Sequence, residues 1–87
     1  MLPRSFNYAL LRLQRPDWVA VAEFDDAVNL LRAATAIGDL VQMGGSVKRD
    51  PQNGSWLLWV ATTQVGECWL RFRWNDPHAY DVTVVVT

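Results

Sequence analysis

Two hydrophobic periods divide the chain. Between Asp26 and Met43 apolar residues recur every three to four positions. From Ser46 onward they alternate along short segments separated by turn residues. The first pattern predicts a helix near Asp26–Met43. Asp25 serves as its N-cap, because a carboxylate there can accept orphan backbone N–H groups. Its apolar stripe is Ala27, Leu30, Leu31, Ala34, Ile37 and Val41. Gly44-Gly45 ends the helix, since glycine takes the left-handed cap conformation without strain. Gly38 is expected to weaken its last third.

The second pattern predicts strands near 46–49, 55–63, 67–74 and 80–86. Asp50-Pro51-Gln52-Asn53-Gly54, Gln64-Val65-Gly66 and Asn75-Asp76-Pro77-His78-Ala79 are the intervening turns. If residue 63 pairs with 67 and 74 with 80, one face collects Trp56, Leu58, Val60, Leu70, Phe72, Trp74, Tyr80, Val82 and Val84. Two separate turns then produce one continuous apolar surface, on which the helix stripe packs. The opposite face holds Leu57, Trp59, Ala61, Trp69, Arg71, Arg73, Asp81, Thr83 and Val85, with Lys48 or Arg49 near the sheet's edge. In this register Arg73 meets Asp81 and Arg71 meets Trp59.

The N-terminal part carries less signal. Phe6–Leu13 reads as a strand. Trp18–Phe24, after the Arg15-Pro16-Asp17 turn, reads as a further strand, with an Ala-rich helix capped by Asp17 as the alternative. The expected fold is therefore α+β: an antiparallel sheet of four or more strands with one main helix on one face, forming a single domain over residues 1–87.

Composition narrows the function classes. Half of the 87 residues are apolar, five are Trp, and 20% are charged, which suits a small core rather than a disordered segment. The net charge of −1 provides no bulk attraction to nucleic acid, so RNA binding would need a local basic patch. No apolar run approaches the ~20 residues of a membrane span, and the N-terminus lacks a signal-peptide pattern. A cytoplasmic protein is the expectation.

Candidate chemistry is sparse. Cys68, in Gly66-Glu67-Cys68-Trp69, resembles the surroundings of a papain-like nucleophile, but it falls on the core face and reads as a buried structural cysteine. His78 reads as an exposed turn histidine that could pair with Asp76. One Cys and one His make no zinc set. Glu23, Asp25 and Asp26 are expected to offset the helix dipole. Neither a catalytic constellation nor a cofactor or metal site is expected, which points away from an enzyme.

The feature above background is the aromatic and basic sheet face. Trp59, Trp69, Arg71 and Arg73 are its candidate partner-binding residues. Trp and Arg are favoured at protein interfaces, so another protein is the expected partner, bound by an inhibitor, immunity factor or adaptor. RNA is the alternative, with bases on rings and phosphates on arginines. The helix-then-sheet layout, with arginines on middle strands, resembles RelE-type ribosome-dependent ribonuclease toxins. That resemblance implies contact of Arg71 and Arg73 with a messenger RNA backbone, although those toxins are usually basic and this chain is not. Leu70-Arg71-Phe72 followed by Asp76-Pro77-His78-Ala79 resembles a strand–turn–strand of the SsgA-like sporulation regulators. Finally, the β-rich strand 80–86, if it lies at an edge, could pair two copies into a homodimer.

Overall fold

The computed structural model describes residues 13–87. Two helices, α1 (Val21–Ala33) and α2 (Ile37–Gln42), precede four strands, β1 (Val47–Arg49), β2 (Trp56–Thr62), β3 (Glu67–Asn75) and β4 (His78–Val86). The strands form one antiparallel sheet in the order β1-β2-β3-β4, with α1 packed on one face, an α+β arrangement. The expected strand at Phe6–Leu13 lies almost wholly outside the described residues.

The helical region departs from expectation at both ends. Residues 21–24 belong to α1 rather than to a strand, and Asp25 lies inside the helix instead of capping it. Ala20 is the N-cap and contributes no side-chain bond, and Asp17 lies in the preceding turn. Val19 and Phe24 supply the reason for the early start. Both are buried, and Phe24, Ala27 and Leu31 then form the helical stripe facing the sheet.

The single long helix is also broken. Ala34 and Ala36 are extended, and the Asp39 carboxylate accepts hydrogen bonds from the backbone N–H groups of Thr35 (3.0 Å) and Ala36 (3.1 Å) and from Thr35 Oγ1 (3.1 Å). These bonds start α2 as a separate helix and hold the Asp39 carboxyl below its ordinary range. The new axis turns Leu40 into the core and leaves Val41 60% exposed. The break thus comes before Gly38. Gly44-Gly45 does end the helix: the N–H of Gly44 donates to Val41 O and that of Gly45 to Leu40 O, with Gly44 at φ +94.

The sheet keeps the expected face assignment over most of its length but not the expected register. Trp56 pairs with Phe72 and Leu58 with Leu70, two residues from the expected partners, so side-chain parity is preserved. A bulge at Val60 then makes Val60 and Ala61 both buried and turns Thr62 to the outer face. Between β3 and β4, Leu70 pairs with Val84 as expected. A second bulge carries one extra residue on β4, so that Arg73 pairs with Tyr80 and Trp74 with Ala79. Asp81, at φ +52, sits in that bulge. Ala79 therefore takes the core position expected for Tyr80.

The core lies between α1, α2 and the inner face of the sheet. Leu31, Leu40, Leu58, Leu70 and Phe72 are fully buried, with Cys68 and Val82 beside them. None of the helices in the described residues is long and apolar enough to cross a membrane.

Candidate functional site

The outer face of the sheet is the side away from this core. Alternation along β3 places Glu67, Trp69, Arg71 and Arg73 there, while Cys68, Leu70 and Phe72 face inward. Pairing assembles the neighbours in rows. Lys48, Leu57, Arg71 and Thr83 make one row, Trp59, Trp69 and Val85 the next, and Arg73 with Tyr80 a third. The four residues proposed from the sequence thus share one face.

Their local contacts differ from those expected. Trp59 opposes Trp69, not Arg71. Arg73 opposes Tyr80, so the expected Arg73–Asp81 pair is replaced by an aromatic neighbour. The cation on Trp69 is Lys48, whose Nζ stands 4.3 Å from the ring centroid. Arg49 makes the equivalent contact with Trp56, at 4.5 Å. Trp69 is only 9% exposed and forms the floor of the surface. Trp59 (40%) and Tyr80 (41%) carry its accessible aromatic area, with Lys48 and Arg73 exposed and Arg71 half-buried. Trp59 Nε1 donates to Thr62 Oγ1 at 2.8 Å, a contact made available by the bulge at Val60.

Tyr80 is the member of this surface that the sequence reading misplaced. A two-residue connection at Asp76-Pro77, closed by the pairing of Asn75 with His78, shifts β4 by one and rotates Tyr80 outward. The Asp-Pro pair is the signal that could have found it, since it allows a shorter turn than the five-residue one expected.

The remaining candidates do not converge. Cys68 pairs with Val86 at one end of the β3–β4 ladder and His78 with Asn75 at the other, about 25 Å apart at strand rise. Burial pushes the Cys68 thiol up, opposite to what a nucleophile needs. Asp76 accepts a hydrogen bond from Trp74 Nε1 instead of pairing with His78. His78 is half-buried rather than exposed, and its Nδ1 is buried without a hydrogen-bond partner among the described residues. Those residues contain no group of three potential metal ligands. An open groove of about 600 Å³ lies between α1 and β2, lined by Glu23, Asp26, Leu30, Met43 and Trp59 among others.

Compared with protein-family models, curated proteins and solved structures, the chain matches none.

Proposed function

We propose that this chain is a non-enzymatic protein-binding domain, an inhibitor, immunity factor or adaptor, that docks an acidic partner surface on the outer face of its sheet. The observation that carries this reading is the grouping of Lys48, Arg71 and Arg73 with two exposed rings, Trp59 and Tyr80, on the face opposite the core helices. Such a face offers rigid aromatic anchors ringed by cations, which is the composition that concentrates binding energy at protein interfaces. The cations favour a partner carrying carboxylates at the matching positions.

The same residue types serve single-stranded RNA, but their spacing favours a protein. Trp59 and Tyr80 lie in β2 and β4, four residues apart along the ladder and two strands across, roughly 17 Å from each other. Consecutive bases stack on adjacent rings, and Trp69, the ring nearest Trp59, is buried beneath Lys48.

The test uses affinity capture from source-cell lysate with and without nuclease, comparing the wild-type bait with Trp59→Ala/Tyr80→Ala and Arg73→Glu baits. Each folded variant should lose a protein that the wild type retains, with hot-spot losses of at least about 2 kcal/mol, roughly 30-fold in Kd. Equal capture by all three baits would refute this surface. Capture that disappears with nuclease would favour RNA.

A further inference from the structure

We propose that the outer edge of β4 pairs with β4 of a second copy of this chain, antiparallel about a two-fold axis through Val84, joining the two four-stranded sheets into one. The inference is independent of the docking face, which stays open on both copies.

The sheet order places β4 at an edge, where among the described residues its far side has no partner. The backbone bonds show which groups are left over. Glu67 and Thr87 exchange both of their N–H···O bonds, so by the alternation of an antiparallel ladder Trp69–Val85 and Arg71–Thr83 are the other bonded pairs. Odd-numbered residues of this half of β4 therefore point their backbone groups at β3. Val82, Val84 and Val86 point theirs away from it, toward the free edge. Three outward residues at a spacing of two form a self-complementary row. With Val84 opposite Val84 of a second copy, Val82 meets Val86 and Val86 meets Val82, about six hydrogen bonds in all.

The side chains agree with that register. Val82, Val84 and Val86 belong to the inner face, yet only Val82 is buried. Val84 is half-buried and Val86 is 52% exposed, because α1 packs chiefly over β2 rather than over the sheet's far margin. A second copy brings its own three valines against them and continues the apolar inner face across the junction. No side chain in the segment 82–87 is charged, so the paired valine rows meet without side-chain repulsion. Asp81 marks the limit of the pairing: its bulge twists the strand away, and it falls opposite Thr87 of the other copy. The two Asp81 carboxylates then stand roughly 20 Å apart, beyond the screening length at physiological salt.

The test combines sedimentation with residue-resolved amide exchange on the full chain from micromolar to millimolar concentration. The expected result is a concentration-dependent dimer in which the amides of Val82, Val84 and Val86 slow about tenfold as dimer forms, while those of Thr83 and Val85 are protected throughout. Val84→Pro removes an outward N–H and spares the bonds to β3, so the folded variant should stay monomeric. Should that variant not fold, Val84→Lys places two like charges on the axis and should also be monomeric. A wild-type monomer at millimolar concentration would overturn the proposal. So would a dimer whose Val84 amide exchanges freely, a folded variant that still dimerises, or protection of the even-numbered amides in a sample that sediments as monomer.

Discussion

Adjacent residues on β3 should differ sharply in their effect on stability, and Phe72 with Arg73 is the pair to measure. Phe72 is fully buried on the inner face, opposite Trp56, with its ring edge-on to Trp74 at 6.4 Å between centroids. Phe72→Ala removes the ring and leaves a cavity among residues fixed by sheet pairing, so it should cost about 3–5 kcal/mol. A chain of this length has about 4–13 kcal/mol of stability in all. The variant is therefore marginal, and Phe72→Leu, at about 1–2 kcal/mol, provides a measurable intermediate. Arg73 is exposed one residue further on, and Arg73→Ala should stay within about 0.5 kcal/mol. Urea unfolding followed by tryptophan fluorescence is the assay. With a slope of about 1.5 kcal/mol per molar, Phe72→Ala should lower the midpoint by roughly 2–3 M and Arg73→Ala by less than about 0.4 M. Comparable losses at both positions, or a loss below about 1 kcal/mol at Phe72, would refute the assignment of inner and outer faces.

Three further outcomes follow from local structure. A Cβ at Gly45 would stand 2.6 Å from Leu40 O and 2.7 Å from Leu30 Cδ2, whereas one at Gly38 meets nothing within 4 Å. Gly45→Ala should therefore destabilise by about 1–3 kcal/mol and Gly38→Ala stabilise by up to about 1 kcal/mol, read by thermal melts. Asp39 has a lowered carboxyl pKa because Thr35 and Ala36 donate to it, so its contribution is present above the ordinary value of 3.8 and lost as pH falls through the lowered one. Asp39→Ala should melt below the wild type at pH 7, with the gap closing in acid. Burial raises the Cys68 thiol above its ordinary 9.0, a contribution complete below the unfolded value and lost as pH rises through the folded one. Native protein at pH 7.5, about 1.5 units below the ordinary thiol value, should resist iodoacetamide and react only when unfolded, and Cys68→Ala should flatten the alkaline loss of stability.

The strands were readable because each carried alternation between two turns of recognisable chemistry. Side-chain parity survived a register error of two residues, so Trp59, Trp69, Arg71 and Arg73 still fell together. What escaped was set by single residues acting out of pattern. The bulges at Val60 and Asp81 leave no mark in an alternation of apolar and polar positions, and the second one exchanged Ala79 for Tyr80 in the core. The break at Ala34–Ala36 lies in a run with acceptable helix formers and is fixed by the Asp39 carboxylate reaching back to Thr35. Trp18–Phe24 reads as a strand with a helix as the alternative, and the burial of Phe24, Ala27 and Leu31 on one stripe decides for helix from Val21 on.

The outer face and the groove beside α1 make different predictions for a bound partner, and hydroxyl-radical footprinting of the captured complex separates them. Trp59, Tyr80 and Met43 are all exposed and all oxidise readily, with Tyr80 confined to the outer face, Met43 to the groove, and Trp59 bordering both. Docking on the outer face predicts that Trp59 and Tyr80 become protected relative to the free chain while Met43 oxidises as before. Protection of Met43 with Tyr80 unchanged would contradict it and place the partner in the groove.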